Sequence, residues 1–319
     1  MHTKKRIGVF TPIKATFASN AIVRELLPER TVEELYELLD ANSGIEYYKD
    51  LDPHKSVIEN GKVYCGDICV SDLDLFFWYY LPDYDPTSFE FQVLETVSRR
   101  TKVSPNPQGL VRSMDKFTAH SALKNAGLPT PDFALFPATD TAYAKKLFKK
   151  WGTLLLKPRL GKFGHGILKI DSEGMLRDAI AYAASSHPDP LQIFVERFEE
   201  NDMDRWISAT NIGGQTLFGY RKKSTKFVDG WKVYDEEFKG GEAFYVDPSP
   251  VENIASAAAK ALGADIVGFD CIYVTSRKEY LIVDENTFPG IYEDCFEQAG
   301  KGSLAENFYR IITESLKVA

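Results

Sequence analysis

The sequence YLIVDENTFPG, at Tyr280–Gly290, ends an apolar strand in two acidic residues and an amide. A second apolar stretch, IVGFDCIYV at Ile266–Val274, carries Asp270 at its centre. If the two strands pair antiparallel, Asp270 lies near Asp284 and Asn286, which share one face because side chains alternate along a strand. A charge inside an apolar strand is costly unless it is paired or bound to a metal. Oxygen ligands without thiol or imidazole favour a hard cation such as magnesium.

Glu285 lies between Asp284 and Asn286, so alternation directs its side chain to the opposite face, toward helices or solvent. A competing interpretation treats these groups as carboxylates solvated at the end of a strand. The turn NTFPG at 286–290 and the apolar surroundings of Asp270 favour the metal interpretation.

Two lysines stand where phosphate groups could bind. Lys157 ends the apolar strand at 153–157, and the glycine-rich segment Pro158–Gly166 follows at once. A lysine at the end of a buried strand needs an anion, and glycines let backbone amides approach a phosphate closely. Lys116 stands at the start of a helix, where a second phosphate contact could form, although a solvated helix lysine is the alternative. The segment matches neither the Walker nor the Rossmann pattern.

A third polar position is Glu196, near the end of the strand QIFVERF. The chain then becomes acidic and irregular through Glu199–Asp204. A strand end followed by a polar connection suits a hinge over a planar base, with Asp204 accepting from a ribose hydroxyl. A solvated acidic loop is the alternative interpretation.

Composition excludes several classes of protein. The chain has 319 residues and a net charge of −8, from 38 Lys and Arg against 46 Asp and Glu. An acidic balance argues against binding nucleic acid by phosphate neutralisation. The longest dense apolar run, Leu75–Leu81, is far shorter than the roughly 20 residues of a membrane helix. The four cysteines lack metal-ligand spacing, so we expect reduced thiols in a soluble, cytoplasmic protein.

Strands alternate with helices over the first hundred residues, which predicts an α/β domain. Thr31 and Glu34 resemble a capping box, Ser88 precedes a second helix, and Pro105–Pro107 is the best candidate for a linker. The second half of the chain is α+β, with a hairpin predicted at Gly213-Gly214.

In this order, the segments resemble the ATP-grasp superfamily over nearly the whole chain. They are similar to D-alanine–D-alanine ligases, bacterial glutathione synthetases and the glutamate ligases that modify ribosomal proteins. The matching motifs are SMDK at 113–116, AGLPTP at 126–131, LLKP at 155–158, VERF at 195–198 and DENTFPG at 284–290.

The resemblance implies three lobes, with ATP held between two antiparallel sheets. We divide the chain into a pre-ATP-grasp α/β domain at 1–105, a central lobe at 106–190 and a C-terminal lobe with the metal site at 191–319. The implied ligands are Lys116 and Lys157 for the phosphates; Gly161, Gly164, His165 and Gly166 for the flexible loop; Glu196 and the backbone near Phe198 for adenine; Asp204 for ribose; and Asp270, Asp284 and Asn286 for two magnesium ions.

The sequence departs from the family at two points. The family usually has glutamate where Asp284 stands, which leaves open whether Asp284 or Glu285 is the second metal carboxylate. D-alanine ligases carry an arginine two residues before the first metal aspartate, where this chain has Gly268, and this disfavours D-alanyl-D-alanine synthesis.

The activity implied is ATP-dependent joining of a carboxylate to an amine. Transfer of the γ-phosphoryl group makes an acylphosphate, so the protein supplies positioning and charge neutralisation but no nucleophile. Arg221 is our candidate for stabilising the acylphosphate; Lys222 and Lys223 compete with it, and alternation puts Arg221 and Lys223 on one face.

The expected substrates are an amino acid, a small peptide or an acyl group on a carrier protein, and the resemblance suggests a homodimer. A thiol acceptor and a non-catalytic ATP-binding module are the alternatives.

Overall fold

The first part of the chain forms an α/β unit around a parallel sheet. The structure, a computed structural model, describes all residues except 1–3, 18–21, 26, 81–86, 162–163, 186–191, 223–226, 229–230, 234–242 and 318–319. The first elements are β1 (Lys5–Phe10), β2 (Lys14–Phe17), β3 (Ile22–Glu25), α1 (Glu29–Asp40), β4 (Ile45–Tyr48), β5 (Ser56–Glu59), β6 (Lys62–Cys65), β7 (Ile68–Cys69), β8 (Leu75–Trp78), α2 (Phe89–Ser98) and β9 (Lys102–Ser104). Strands β4, β1, β8 and β9 pair in parallel in that order. Every residue of β8 is buried, as expected for a strand covered on both faces.

Two predicted helix starts in this unit have different outcomes. Ser88 caps α2, and its side chain accepts a hydrogen bond from the backbone N–H of Phe91. The predicted capping box at Thr31 is wrong, because α1 already begins at Glu29. The carbonyl oxygen of Pro28 accepts a hydrogen bond from the backbone N–H of Thr31, so Thr31 already lies within the first turn and is not the cap.

The second group of elements builds an antiparallel sheet. They are α3 (Pro107–Met114), α4 (Lys116–Asn125), β10 (Phe133–Pro137), α5 (Thr141–Trp151), β11 (Leu154–Lys157), β12 (Leu168–Ile170), α6 (Glu173–Ser185) and β13 (Gln192–Arg197). The strand order is β10-β13-β11-β12. Because β13 lies inside this central sheet, the sheet extends beyond the lobe boundary placed at residue 190. We propose that the boundary follows Arg197 instead.

The remaining elements build a larger antiparallel sheet. They are β14 (Asp202–Ile212), β15 (Gln215–Lys222), β16 (Phe227–Val228), β17 (Lys232–Val233), β18 (Ala243–Val246), α7 (Glu252–Leu262), β19 (Ile266–Val274), β20 (Glu279–Asn286), α8 (Glu293–Ala299) and α9 (Leu304–Lys317). The strand order is β18-β15-β14-β19-β20. Gly213 and Gly214 both have positive φ and join β14 to β15, which confirms the predicted hairpin.

Helix α4 lies where the central and C-terminal sheets meet. Its residues Ala119 and Leu123 belong to the apolar core formed by α7, β14, β19 and β20. On the central side, the rings of Phe117 and His120 make edge contacts with Phe133 and Phe194. This helix therefore contacts both sheets.

The predicted linker at Pro105–Pro107 overlaps the start of α3. Pro107 is the first residue of α3, and the side chain of Asn106 caps that helix. Proline suits this position because its missing N–H would have no partner in the first turn. Of the predicted linker at Pro105–Pro107, Pro107 thus begins the helix and Asn106 caps it.

In the part of the chain that the structure describes, no helix is long and apolar enough to span a membrane. All four cysteines are free thiols, as expected from their spacing.

Candidate active site

Carboxylate and amide groups line one face of β19 and β20. The two strands pair antiparallel, with Asp270 directly opposite Asp284 and Gly268 opposite Asn286. Ser208 of β14 is the next partner of Asp270, and its hydroxyl donates a 2.5 Å hydrogen bond to Asp270 Oδ1. Three neighbouring strands therefore present oxygen atoms to the same side of the sheet.

The two aspartates differ in their electrostatic surroundings. Burial and then the charge of Asp284 raise the pKa of Asp270, although Lys222 opposes the shift. Burial would also raise the pKa of Asp284, but the charges of Lys116 and Lys157 outweigh it and the net pKa is lowered. Two carboxylates held this close repel each other, and a bound cation would relieve the repulsion.

These groups fit a magnesium ion that is shared with phosphate oxygens. Among the described residues, no three His, Cys, Asp or Glu side chains converge as a complete metal site. The chain instead offers Asp270, Asp284 and the amide of Asn286. Magnesium typically binds one or two carboxylates together with substrate phosphates and water, and this donor set suits that mode.

Glu285 points to the other side of the sheet. It pairs with Phe269, and its side chain is fully buried against His120, with 3.4 Å between Glu285 Oε1 and His120 Nδ1. Of the two carboxylates that the sequence left open, Asp284 is therefore the one that shares a face with Asp270.

Both predicted phosphate lysines reach this region from other elements. Lys116 begins α4, is 6% exposed and forms an ion pair with Asp284. Lys157 ends β11, is equally buried, and places Nζ 2.7 Å from Glu196 Oε2 and 3.0 Å from the carbonyl oxygen of Val283. One lysine thus comes from the central sheet and the other from the helix between the sheets, and both end beside β20.

The glycine-rich segment is anchored at its base to the start of α4. The guanidinium of Arg159 pairs with the carboxylate of Asp115, and the Arg159 carbonyl accepts a 3.1 Å hydrogen bond from the backbone N–H of Lys116. This arrangement joins the segment that follows Lys157 to the start of the helix that carries Lys116.

Glycine residues give the segment its shape beyond that anchor. Gly164 and Gly166 have φ of 71° and 73°, which other residues rarely adopt, while Gly161 lies close to the ring of Pro158. His165 is exposed between the two positive-φ glycines, and residues 162–163 lie outside the described part.

Glu196, predicted to hold adenine, has a fully buried side chain. It contacts Lys157 and His120. Phe198 lies at the connection between the sheets, with Lys169 Nζ 4.0 Å from its ring centroid. Asp204 is exposed at the start of β14, where its N–H donates to Asp202.

An apolar surface continues the carboxylate face toward that connection. Ile272 is two residues after Asp270 and therefore lies on the same face of β19. It belongs to a small apolar cluster, called here the apolar wall, made of Ile272, Val274, Leu281, Trp206 and Val283. Sequence reasoning missed this wall, because its members come from three strands.

Arg221 does not lie on the carboxylate face. Tyr220 pairs with Ser208, so Tyr220 and Lys222 share the face of Asp270, and Arg221 points to the opposite side. There Arg221 Nε donates a 3.0 Å hydrogen bond to the carbonyl of Trp206, and the guanidinium lies 5.8 Å from the ring centroid of Phe244. The predicted catalytic residue Arg221 therefore lies on the face opposite Asp270, and Lys223 lies outside the described residues.

His120 is a buried polar group that the sequence analysis did not select. It is 0% exposed and lies between Glu196 and Glu285. A signal was present, since Lys116 and His120 are one turn apart on the same helix. That signal does not identify the partners, which come from two different sheets.

Comparison with known proteins agrees with this geometry, although no family model matches the chain. A probable alpha-L-glutamate ligase of Legionella pneumophila (strain Corby) is 26% identical over 212 residues, which cover 65% of each protein. A D-alanine–D-alanine ligase of Thermoanaerobacter sp. (strain X514) is 25% identical over 223 residues, covering 63% of this chain and 60% of that protein. The chain thus matches less than two thirds of the length of these relatives.

Among solved structures, the ATP-grasp ligase PsnB complexed with minimal precursor, Mg and ADP superimposes with a TM-score of 0.61. The superposition covers 98% of both chains at 16% sequence identity. The expected ATP-grasp fold is confirmed.

Proposed function

We propose that the chain is an ATP-dependent ligase that activates a carboxylate as an acylphosphate and joins it to an amine, with release of ADP and phosphate. One observation supports this most strongly: two buried lysines from separate elements converge on the strand that carries Asp284, opposite Asp270. Cations for phosphate groups and oxygen ligands for a divalent ion therefore meet in one place. The ligase names of the relatives agree with this activity.

The residues divide the work by charge. Lys116 and Lys157 neutralise the polyphosphate, and their burial strengthens that attraction because the local dielectric is low. The glycine-rich segment at 158–166 supplies backbone N–H groups at its positive-φ positions. Lys222, on the face of Asp270, is placed to neutralise negative charge that develops during phosphoryl transfer.

Asp270, Asp284 and Asn286 would hold magnesium. When bound, the ion would neutralise phosphate oxygens and orient them for transfer. The complex of PsnB with Mg and ADP supports the use of both groups in this fold. We propose two ions, since the three donors come from two strands and can be divided between two coordination shells. Phosphate oxygens would complete both shells.

For the substrates, we propose an amino acid as the amine and an amino acid, a small peptide or a carrier-bound acyl group as the carboxylate. The glutamate ligase name of one relative favours glutamate as the first acceptor to try, and PsnB, solved with a precursor peptide, favours peptides as well. We further propose that the chain acts in the cytoplasm as a homodimer.

The first experiment is a screen of purified protein with ATP and magnesium against amino acids and short peptides, singly and in pairs. We expect release of phosphate and ADP together with a product whose mass is the sum of two substrates minus water. Nucleotide binding without turnover for any amine would contradict a carboxylate–amine ligase. Turnover with thiols alone would assign a thioester-forming enzyme instead.

A pair of neighbouring variants tests which cation of β15 serves the reaction. Lys222→Ala is expected to lower the turnover rate by about a hundredfold, the usual loss when one donor to developing charge is removed. Arg221→Ala, on the opposite face, is expected to change turnover by less than about fivefold. Steady-state rates at saturating ATP decide between them, and a larger loss in the arginine variant would overturn this assignment.

A further inference from the structure

A group of charged side chains is buried beneath the proposed nucleotide site. We call it the buried charge cluster, and it consists of Lys157, His120, Glu196 and Glu285. His120 Nε2 lies 3.3 Å from Glu196 Oε1, and His120 Nδ1 lies 3.4 Å from Glu285 Oε1. Lys157 Nζ lies 2.7 Å from the other oxygen of Glu196. With the imidazole protonated, two positive charges balance two negative charges.

The cluster joins three structural elements that the nucleotide must bring together. His120 belongs to α4, Glu196 to β13 of the central sheet, and Glu285 to β20 of the C-terminal sheet. Glu285 is flanked by Asp284 and Asn286, so its position sets the register of both predicted magnesium ligands. None of the four side chains is more than a few per cent exposed, so water does not screen their charges.

Protonation of His120 is favoured by these surroundings. Burial lowers the pKa of His120, but the charges of Glu285 and Glu196 outweigh burial, and the net pKa is raised. A neutral imidazole would leave the two buried carboxylates without its positive charge. Lys157, whose Nζ lies 2.7 Å from Glu196 Oε2, would then be held by that carboxylate rather than by a phosphate.

We propose that His120 is a positioning residue for nucleotide binding: its positive charge neutralises Glu196 and Glu285 and so leaves Lys157 available to the polyphosphate. This role rests on the proposed function only in that ATP is the ligand of Lys157. His120 touches neither nucleotide nor acceptor and acts through the lysine and through β20.

The test compares two variants that move the charge of the cluster in opposite directions. His120→Gln leaves one excess negative charge and is expected to weaken binding of Mg·ADP about tenfold. Glu285→Gln leaves one excess positive charge and is expected to preserve or tighten binding. The double variant restores the balance, and its affinity is expected within about threefold of the unmodified protein. Calorimetry on the full chain measures all four dissociation constants.

A packing role for His120 predicts a different pattern. Loss of packing would weaken binding in both single variants, and the double variant would be at least as weak as His120→Gln; that result overturns the proposal. Should His120→Gln fail to fold, His120→Lys keeps the positive charge. Its affinity for Mg·ADP, compared with that of Glu285→Gln, then still tests the effect of charge. An affinity in His120→Lys as low as a tenfold loss would then contradict a charge role.

Kinetics separates this role from a general loss of activity. In His120→Gln the KM for ATP is expected to rise about tenfold, while the KM for the amine changes by less than about twofold. The affinity measurements need no turnover. If the unmodified protein binds Mg·ADP but joins no substrates, the ligase function fails while the charge pattern still decides the role of His120.

Discussion

Replacing Asp270 by asparagine is expected to lower the rate of ADP release by at least about a thousandfold, the scale of several kcal/mol that a metal ion contributes to phosphoryl transfer. The asparagine keeps the shape of the side chain and can still accept the hydrogen bond from Ser208. It removes the anionic oxygen that faces Asp284 and would hold the cation. Rates of coupled ADP release at saturating ATP and magnesium measure the loss.

The same substitution is expected to leave the fold intact. Because burial and the charge of Asp284 raise the pKa of Asp270, its ionised form destabilises the folded state at neutral pH. A neutral amide removes that cost, so the melting temperature is expected to stay the same or rise. Asp294→Asn, an exposed position on α8, is the matched control and should change neither quantity. Normal ADP release in Asp270→Asn would rule out the metal site.

Replacing Lys157 by alanine is expected to weaken ATP binding about a hundredfold, which corresponds to roughly 2.7 kcal/mol. Lys157 is buried, and its ammonium is directed between Glu196 and Val283, beside β20. In the alanine variant, the phosphate loses its charge-assisted hydrogen bond with the lysine, and water replaces that bond poorly. Titration of the purified variant with a non-hydrolysable ATP analogue gives the dissociation constant.

Two further variants separate loss of charge from loss of packing at this position. Lys157→Met keeps the apolar stem and should show a similar weakening, since only the ammonium contacts the anion. Lys149→Ala, at an exposed position on α5, should bind the analogue normally. Unchanged affinity in Lys157→Met would mean that the polyphosphate lies elsewhere.

Local signals in the sequence predicted the elements whose limits are set locally. Gly213 and Gly214 permit a tight turn between alternating strands, and Ser88 caps the helix that follows it. The pairing of Asp270 with Asp284 also follows from two strands joined by a short turn. In each case neighbouring residues determine the geometry, so the pattern alone was sufficient.

The register between strands and the tertiary partners of side chains could not be predicted from local sequence. Alternation shows that Arg221 and Lys222 lie on opposite faces, but only the pairing of Tyr220 with Ser208 shows which face meets Asp270. The partners of His120 come from two sheets that are remote in sequence. The predicted start of α1 was wrong because the carbonyl of Pro28 accepts the hydrogen bond from Thr31 that closes the first turn.

If Lys116 and Asp284 bind the phosphate and the cation as proposed, the ion pair between them would make the two ligands interdependent. A phosphate would compete with Asp284 for the ammonium, and a cation would compete with Lys116 for the carboxylate. Each ligand would thereby free the group that the other requires, which is positive heterotropic coupling. Thermodynamic linkage would then require the cation to raise nucleotide affinity by the same factor by which the nucleotide raises cation affinity.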